Sequence, residues 1–560
     1  MPSVGSGRES SAAAATPHDE TTPLLRDGDS NAAIPAEQSQ TPNENEEQVV
    51  IVEEITGIKL WLILCSGWMG VFLGAVDASI IATLSAPISS EFKSLSLLSW
   101  LATAYLIANA ACQPISGRLT DIFGRGPGLV FSNLFFAAGN LICGLAQNEH
   151  VMILGRVVAG IGGGGLMSIT TFLATDLVPL RKRGIIQGIG NIAYGSGAMC
   201  GGVIGGLLND YTSGGWRLAF FIQVPPVLVS ACLVAYLVRI PPKVSNKSYL
   251  ARIDFVGAFL IIVFLVLLLL GLNAGGNLVP WTHPLPLTTI PLAFVAALGF
   301  VWWEARAAQP IIPVRLLLRR TVFTACMTNL VTTMANMMAL FYSPLYLQVR
   351  GDSATQAGLV ILFAPIGICI CSVGSGYLMK KTGRYVGIGI LSVSLHLIHV
   401  VILTTLNETT PKWHLMLAFF LLGSGYGAML TITLLACLAA VDHADQAVIT
   451  SATYAFRSVG GTVGVTIAST VYQNILKTQL WNHFGHLPDA SVEIPRIRDD
   501  LNELKHLPEG WPKSDVIAVF MEAFRGVWFT ALGMVLLGLI AVSLMKQHTL
   551  HLTLSRSERS

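Results

Sequence analysis

The sequence predicts an all-α polytopic membrane protein: two related six-helix halves with two inserted helices, fourteen transmembrane helices in all. Three observations predict this: a deficit of charge, a series of long apolar segments and an internal repeat. Hydrophobic residues make up 53% of the 560-residue chain and charged ones only 12%, against roughly 25% charged in soluble domains. Most of the chain therefore avoids water. A net charge of +2 supplies no global basic field, which excludes nucleic acid as a partner.

A helix needs about 20 apolar residues to cross the hydrocarbon core. Segments of that kind fall at about 60–83, 97–117, 128–147, 150–175, 184–208, 218–238, 254–272, 286–305, 321–347, 355–379, 385–405, 413–440, 448–475 and 525–546. Fourteen spans place both termini on one side. Lys and Arg in the short loops choose that side. One set of loops carries sixteen, including Arg118, Arg125, Arg181, Lys182, Arg183, Lys380, Lys381 and Arg384. The opposite set carries four: Lys93, Arg217, Arg350 and Lys412. Both termini are expected in the cytosol. The resulting organisation is a disordered cytosolic tail (1–55), an N-terminal bundle (56–240) and a linker with the two extra helices (241–320). A C-terminal bundle (321–546) follows, with an extracytoplasmic loop over 476–524, and then a cytosolic tail (547–560).

The tail over 1–55 is rich in Ser, Ala, Thr, Asn and Glu, a composition too polar to bury a core. It lacks the basic-then-apolar pattern of a signal peptide. Glu20-Thr-Thr-Pro-Leu24-Leu25 has the acidic-dileucine form that sorting adaptors read. Of two N-x-S/T triplets, Asn407-Glu-Thr is placed outside the cytosol as a glycosylation candidate, and Asn246-Lys-Ser inside. All nine cysteines lie in apolar segments, so no disulfide framework is expected.

The repeat pairs Gly117-Arg-Leu-Thr-Asp121-Ile-Phe-Gly124-Arg125 with Gly376-Tyr-Leu-Met-Lys380-Lys-Thr-Gly383-Arg384, each after the second helix of its half. A second echo links the Gly-rich run Gly195–Gly206 with Gly460, Gly461 and Gly464. Parallel six-helix repeats with a substrate site between them are a common build of secondary transporters. The stretch Gly160-Ile-Gly162-Gly-Gly-Gly165 satisfies a dinucleotide-binding pattern, but it sits in a membrane helix with no strand before it, and the pattern fails its context test. No Walker A sequence occurs. Neither enzyme activity nor a cofactor is expected.

At these residues the chain resembles the major facilitator superfamily. The 117–125 segment is similar to the family's signature loop, and Leu154-Gly-Arg156-Val-Val-Ala-Gly160 to its fourth-helix motif. Gly197-xxx-Gly201-xxx-Gly205-Gly206 resembles the antiporter motif of helix five, with Gly202 where a proline is usual. Leu73-Gly-Ala-Val-Asp77-Ala-Ser and Trp216-Arg217…Pro225 resemble the fourteen-helix drug:proton antiporter branch. Within it the chain looks most like the fungal vacuolar basic amino acid transporters.

Ionisable groups within a bilayer are functional candidates by default. Asp77 and Arg156 each sit about six residues from the expected outer end of their helices, roughly 9 Å below the boundary at 1.5 Å per residue. Equal depth allows a pair, and the expected role is proton coupling and substrate binding. Gly117, Asp121, Gly124 and Arg125 are expected to form a conformational latch; Gly197, Gly201, Gly205 and Gly206 to pack helices. Asn329, Asn336 and Arg457 are candidate cavity residues. His396 and His399 are expected to pack. The resemblance implies proton-coupled antiport of amino acids, basic ones especially, from cytosol into the vacuole. Efflux of drugs across the plasma membrane and nutrient sensing without transport are the alternatives.

Overall fold

The computed structural model describes residues 57–92, 95–239, 254–275, 279–307, 310–312, 314–352, 354–442, 445–487, 490–499, 507 and 511–550. The tail over 1–55, with Glu20, Leu24 and Leu25, and the Asn246 triplet lie outside them.

Among the described residues every regular element is a helix. The first half holds α1 (Ile58–Glu91), α2 (Leu95–Phe123), α3 (Arg125–Leu145), α4 (Glu149–Leu177) and α5 (Leu180–Tyr211). Its sixth span is α6 (Gly215–Phe221) followed directly by α7 (Val224–Leu237). The inserted hairpin is α8 (Phe255–Ala274) and α9 (Pro284–Glu304), followed by the single turn α10 (Val314–Leu317). The second half holds α11 (Arg320–Val349), α12 (Ala354–Ile361) continuing into α13 (Phe363–Thr382), α14 (Val386–Thr404) and α15 (Lys412–Ala439). It closes with α16 (Gln446–Phe484), α17 (Ala490–Asp499) and α18 (Lys513–Ser543). Eleven helical segments are long and apolar enough to span a bilayer by composition alone. Three more, α2, α5 and α16, have 29, 32 and 39 residues but more polar faces, which is consistent with fourteen spans.

Local chemistry sets several boundaries. Asn148 caps α4 by accepting from the Val151 amide at 2.9 Å, and Asp254 caps α8 by accepting from that of Gly257 at 2.8 Å; each satisfies an amide the helix itself leaves free. The two repeat glycines, Gly124 and Gly383, have φ of 97° and 67°, the left-handed region that a side chain disfavours. Both end the second span of their half at matching positions.

The glycine echo is a packing repeat. A Cβ on Gly197 or Gly201 would strike the backbone oxygens of Phe72 and Val76 in α1; one on Gly460 or Gly464 would strike those of Leu330 and Met334 in α11. Fourfold spacing thus brings α5 onto α1 and α16 onto α11 in the same way. Gly205 is buried in the same helix. Gly206 meets nothing within 4 Å, so the packing expected of it is not made. The dinucleotide-like glycines of α4 also pack: Gly160 and Gly164 meet α2 at Tyr105 and Asn109, and Gly162 and Gly165 meet α3 at Ser132 and Phe136.

Three expected boundaries are corrected. Helix α1 continues past residue 83 to Glu91, whose carboxylate bonds Trp216 Nε1 and Arg217. The loop expected over 476–524 is largely helical where described: α16 runs on to Phe484, α17 follows, and α18 starts at Lys513. Phe484 and Trp511 stack at 4.9 Å over this cap. The cytosolic tail expected from 547 starts out tied down: Gln547 Oε1 accepts from the Tyr385 amide, just after Lys546 O accepts from the Tyr385 hydroxyl.

The inserted hairpin covers the seam between the halves. Leu269 of α8 packs with Ile107 and Ala110 of α2, and the Thr466 hydroxyl of α16 donates to Leu272 O at 3.1 Å.

Candidate functional site

Arg156 Nη1 of α4 and Asp77 Oδ2 of α1 are 2.8 Å apart, with side chains 1% and 0% exposed. Arg156 Nε donates to Leu101 O at 3.1 Å, and its guanidinium lies 4.5 Å from the Tyr105 ring centroid. A charge removed from water on this scale is held only by a partner and hydrogen bonds together, and Arg156 has both. Asp77 has one oxygen committed to Arg156, while Oδ1 has no partner. That oxygen can take a proton without first breaking a hydrogen bond.

Toward the end of the bundle that carries the basic loops, the halves lock together. Gly184 meets Gly376 and Gly188 meets Val373, so closely that a Cβ on either α5 glycine would press on α13. Asn191 Nδ2 donates to Ser372 Oγ at 2.7 Å, and Ser372 shares a 2.6 Å bond with Thr431. Arg183 Nη1 donates to Gln446 Oε1 at 2.7 Å. Nearer mid-bundle, Thr171 and Tyr454 share a 2.8 Å hydroxyl bond, and Ser458 donates to Gln113 Oε1 at 3.0 Å.

Beyond that layer the halves part. Leu106, Gln113 and Gly117 lie within about 40° of one another on α2 at 100° per residue. Gln113 is 2% exposed where it meets α16, whereas Leu106 is 49% exposed. On α5, Tyr194 is 43% exposed, although it shares its helix face with Arg183 and Gln187, which line a small inter-half cavity with Thr171 and Thr431. The structure is closed at the basic-loop end and open at the other.

The repeat segment is an ion-pair knot. Arg125 contacts Asp121 at 2.6 Å and Asp176 of α4 at 2.8 Å, and donates to Thr120 Oγ1 at 2.6 Å. Gly117 lies against Ala447 and Ser451 at the start of α16, in the other half.

The remaining candidates separate. Asn329 accepts from Thr333 at 3.4 Å, and Thr333 bonds Tyr426 of α15 at 3.1 Å. Asn329 and Asn336 are 2% and 8% exposed. Arg457 is half-buried with its guanidinium 4.2 Å from the Tyr454 ring. His399 Nδ1 bonds Ala418 O at 2.8 Å, and His396 lies edge-on to Tyr426. Asn407 is held by Arg525 through its side-chain oxygen and by Tyr346 through its carbonyl.

Sequence reasoning missed Asp176, the Arg183–Gln446 contact, Gln113 and Tyr194. Gln113, a polar residue in an apolar span, was a signal available in the chain; Arg183 was read only as a topology charge.

Two helical halves that meet along a seam, with a buried ion pair between α1 and α4, match the build of a membrane transporter. The chain belongs to the Major Facilitator Superfamily, whose family model matches residues 67–465. It is 35% identical over 512 residues, 90% of this chain and 96% of the relative, to "Multidrug resistance protein fnx1" of Schizosaccharomyces pombe. It is 30% identical over 502 residues, 87% of this chain and 86% of the relative, to "Vacuolar membrane amino acid uptake transporter fnx2" of the same organism. Among solved structures it resembles the human organic anion transporter MFSD10 (TETRAN), at TM-score 0.57 and 12% identity, covering 87% of this chain and 100% of that one. That likeness concerns the fold.

Proposed function

We propose that the protein is a proton-coupled antiporter that moves amino acids, basic ones especially, from the cytosol into the vacuole. The observation that carries this reading is the buried Asp77–Arg156 pair, in which Asp77 Oδ1 is unengaged. The 30% identity to a vacuolar amino acid uptake transporter supports the substrate class and the compartment.

In this reading a lumenal proton enters from the open end and lands on Asp77. Neutralising the carboxylate removes the main attraction holding Arg156, which keeps its bonds to Leu101 and Tyr105. Proton occupancy then alters the packing of α1 on α4 and of the helices that α1 carries, and the transporter turns over by alternating access. Gly117, Asp121, Gly124 and Arg125 form the latch on the cytosolic side: the ion-pair knot keeps the end of α2 rigid, so that Gly117 seats on α16 only when that side is shut. The halves correspond to 56–240 and 321–546, and the α8–α9 hairpin between them straps the seam.

A second reading, efflux of drugs or toxic compounds across the plasma membrane, is favoured by the 35% identity to a multidrug resistance protein and by matches to fungal efflux pumps. One experiment separates them: ATP-dependent uptake of labelled lysine, histidine and arginine by vacuolar vesicles. It compares wild type, Asp77→Asn at matched expression and vesicles without the protein. Uptake that a protonophore abolishes and Asp77→Asn loses supports the antiport reading. Absence of wild-type uptake above background moves drug efflux to first place. Normal uptake by Asp77→Asn keeps the function and removes Asp77 from its mechanism.

A further inference from the structure

Arg457 is a cation at the centre of the bundle with no anion beside it. It stands eleven residues into α16, roughly 16 Å from the basic-loop end of that helix and so near the middle of a hydrocarbon core about 30 Å thick. None of the ion pairs among the described residues includes it. Its neighbour is an aromatic face, Tyr454, whose own hydroxyl is occupied by Thr171 of α4. At 100° per residue, Arg457 falls on α16 between Tyr454, which faces α4, and Gly464, which faces Met334 of α11. Its guanidinium stacks on Tyr454, whose hydroxyl reaches Thr171 of α4 in the other half, so Arg457 stands beside the seam. Two phenols lie near: Tyr426 of α15, bonded to Thr333 of α11, is within electrostatic reach of both Arg457 and Tyr194 of α5, and Tyr194 is 43% exposed.

A cation in such a place is costly until it meets an opposite charge. Asp77 is already held by Arg156, and among the described residues no ion pair brings a carboxylate to Arg457. We propose that Arg457 binds the carboxylate of the transported substrate, with Tyr194 and Tyr426 on either side. The guanidinium fork matches a carboxylate with two parallel hydrogen bonds, and the phenol faces accept an ammonium group. The site is therefore built for a molecule bearing both charges and repels a purely cationic one at Arg457. This rests on the amino acid reading above and sharpens it: the α-carboxylate, more than the basic side chain, is what the central site reads.

The test is competition against labelled lysine uptake in the same vesicles, using unlabelled lysine, lysinamide and 1,5-diaminopentane. The two analogues keep an ammonium group but lack the carboxylate. Wild type is expected to need at least about tenfold more of either analogue than of lysine for half-inhibition, which corresponds to about 1.4 kcal/mol. Arg457→Gln is expected to lose lysine uptake and Arg457→Lys to retain part of it, with both variants checked for a single monodisperse peak on detergent size-exclusion. Equal competition by the analogues in wild type, which needs no variant, overturns the proposal and leaves amino acid transport standing. So does Arg457→Gln with an unchanged half-saturation for lysine. No lysine uptake by wild type overturns the transport reading itself, and the carboxylate site falls with it.

Discussion

The guanidinium of Arg183 donates to Gln446 Oε1 across 2.7 Å, and the two residues belong to opposite halves. Both sit at the first turn of their helices, α5 and α16, and both are buried. The contact ties together the two helices that carry the repeated glycine faces, at the end where the halves are shut.

Arg183→Ala removes the donor and leaves Gln446 facing a void. A hydrogen bond to a charged group contributes about 1.5–3 kcal/mol, so the closed arrangement is expected to lose roughly 10- to 150-fold in population. A cysteine replacing Thr175, which lines the small cavity beside Arg183, reports this in a cysteine-free background. Its alkylation rate is expected to rise severalfold in Arg183→Ala. An unchanged rate would mean that helix packing alone holds the end shut.

Gly201→Val and Gly464→Val each force a side chain into the backbone of a neighbouring helix, α1 or α11. Overpacking of this kind costs typically about 1–3 kcal/mol, and both variants are expected to melt at lower temperature in detergent. Gly206→Ala meets open space and is expected to change stability by no more than about 0.5 kcal/mol. Similar losses in all three would show that the spacing of the motif is not a packing device.

Glu91 lies past the apolar part of α1 and binds Arg217 at 2.6 Å. Partial burial works against its carboxylate, but hydrogen bonds from Arg217 and Trp216 and the Arg217 charge outweigh it and hold the carboxyl below its ordinary value. A depressed carboxylate contributes stability above its unfolded value, about 4.3, and loses it as pH falls through the folded one. The melting-temperature difference between wild type and Glu91→Gln is therefore expected to be small and level from pH 7 to 5. It should shrink toward zero below pH 4. A difference that grows on acidification would contradict the assignment.

Much of this architecture was legible in the chain because a bilayer enforces it. Fourteen apolar segments and the bias of Lys and Arg among their loops follow from the cost of polar groups in hydrocarbon. The Gly117–Arg125 and Gly376–Arg384 repeat announced two halves before any contact was known. The candidate site was legible only in part. Asp77 and Arg156 stood out as charges in apolar helices, whereas Tyr194 looks like any aromatic on a membrane helix.

The sequence by itself determined the helical class, the twofold repeat and the few intramembrane charges, since each depends on one residue type meeting one solvent. Which of those charges pair was decided by the tertiary structure. Asp77 and Arg156 are 79 positions apart and meet because α1 packs on α4, where Gly67 and Gly70 lie against Thr170 and Leu166. Among the described residues no ion pair includes Arg457, whose guanidinium lies on the Tyr454 ring instead. Helix rotation and inter-half spacing arise from packing among distant segments, and no local pattern encodes them.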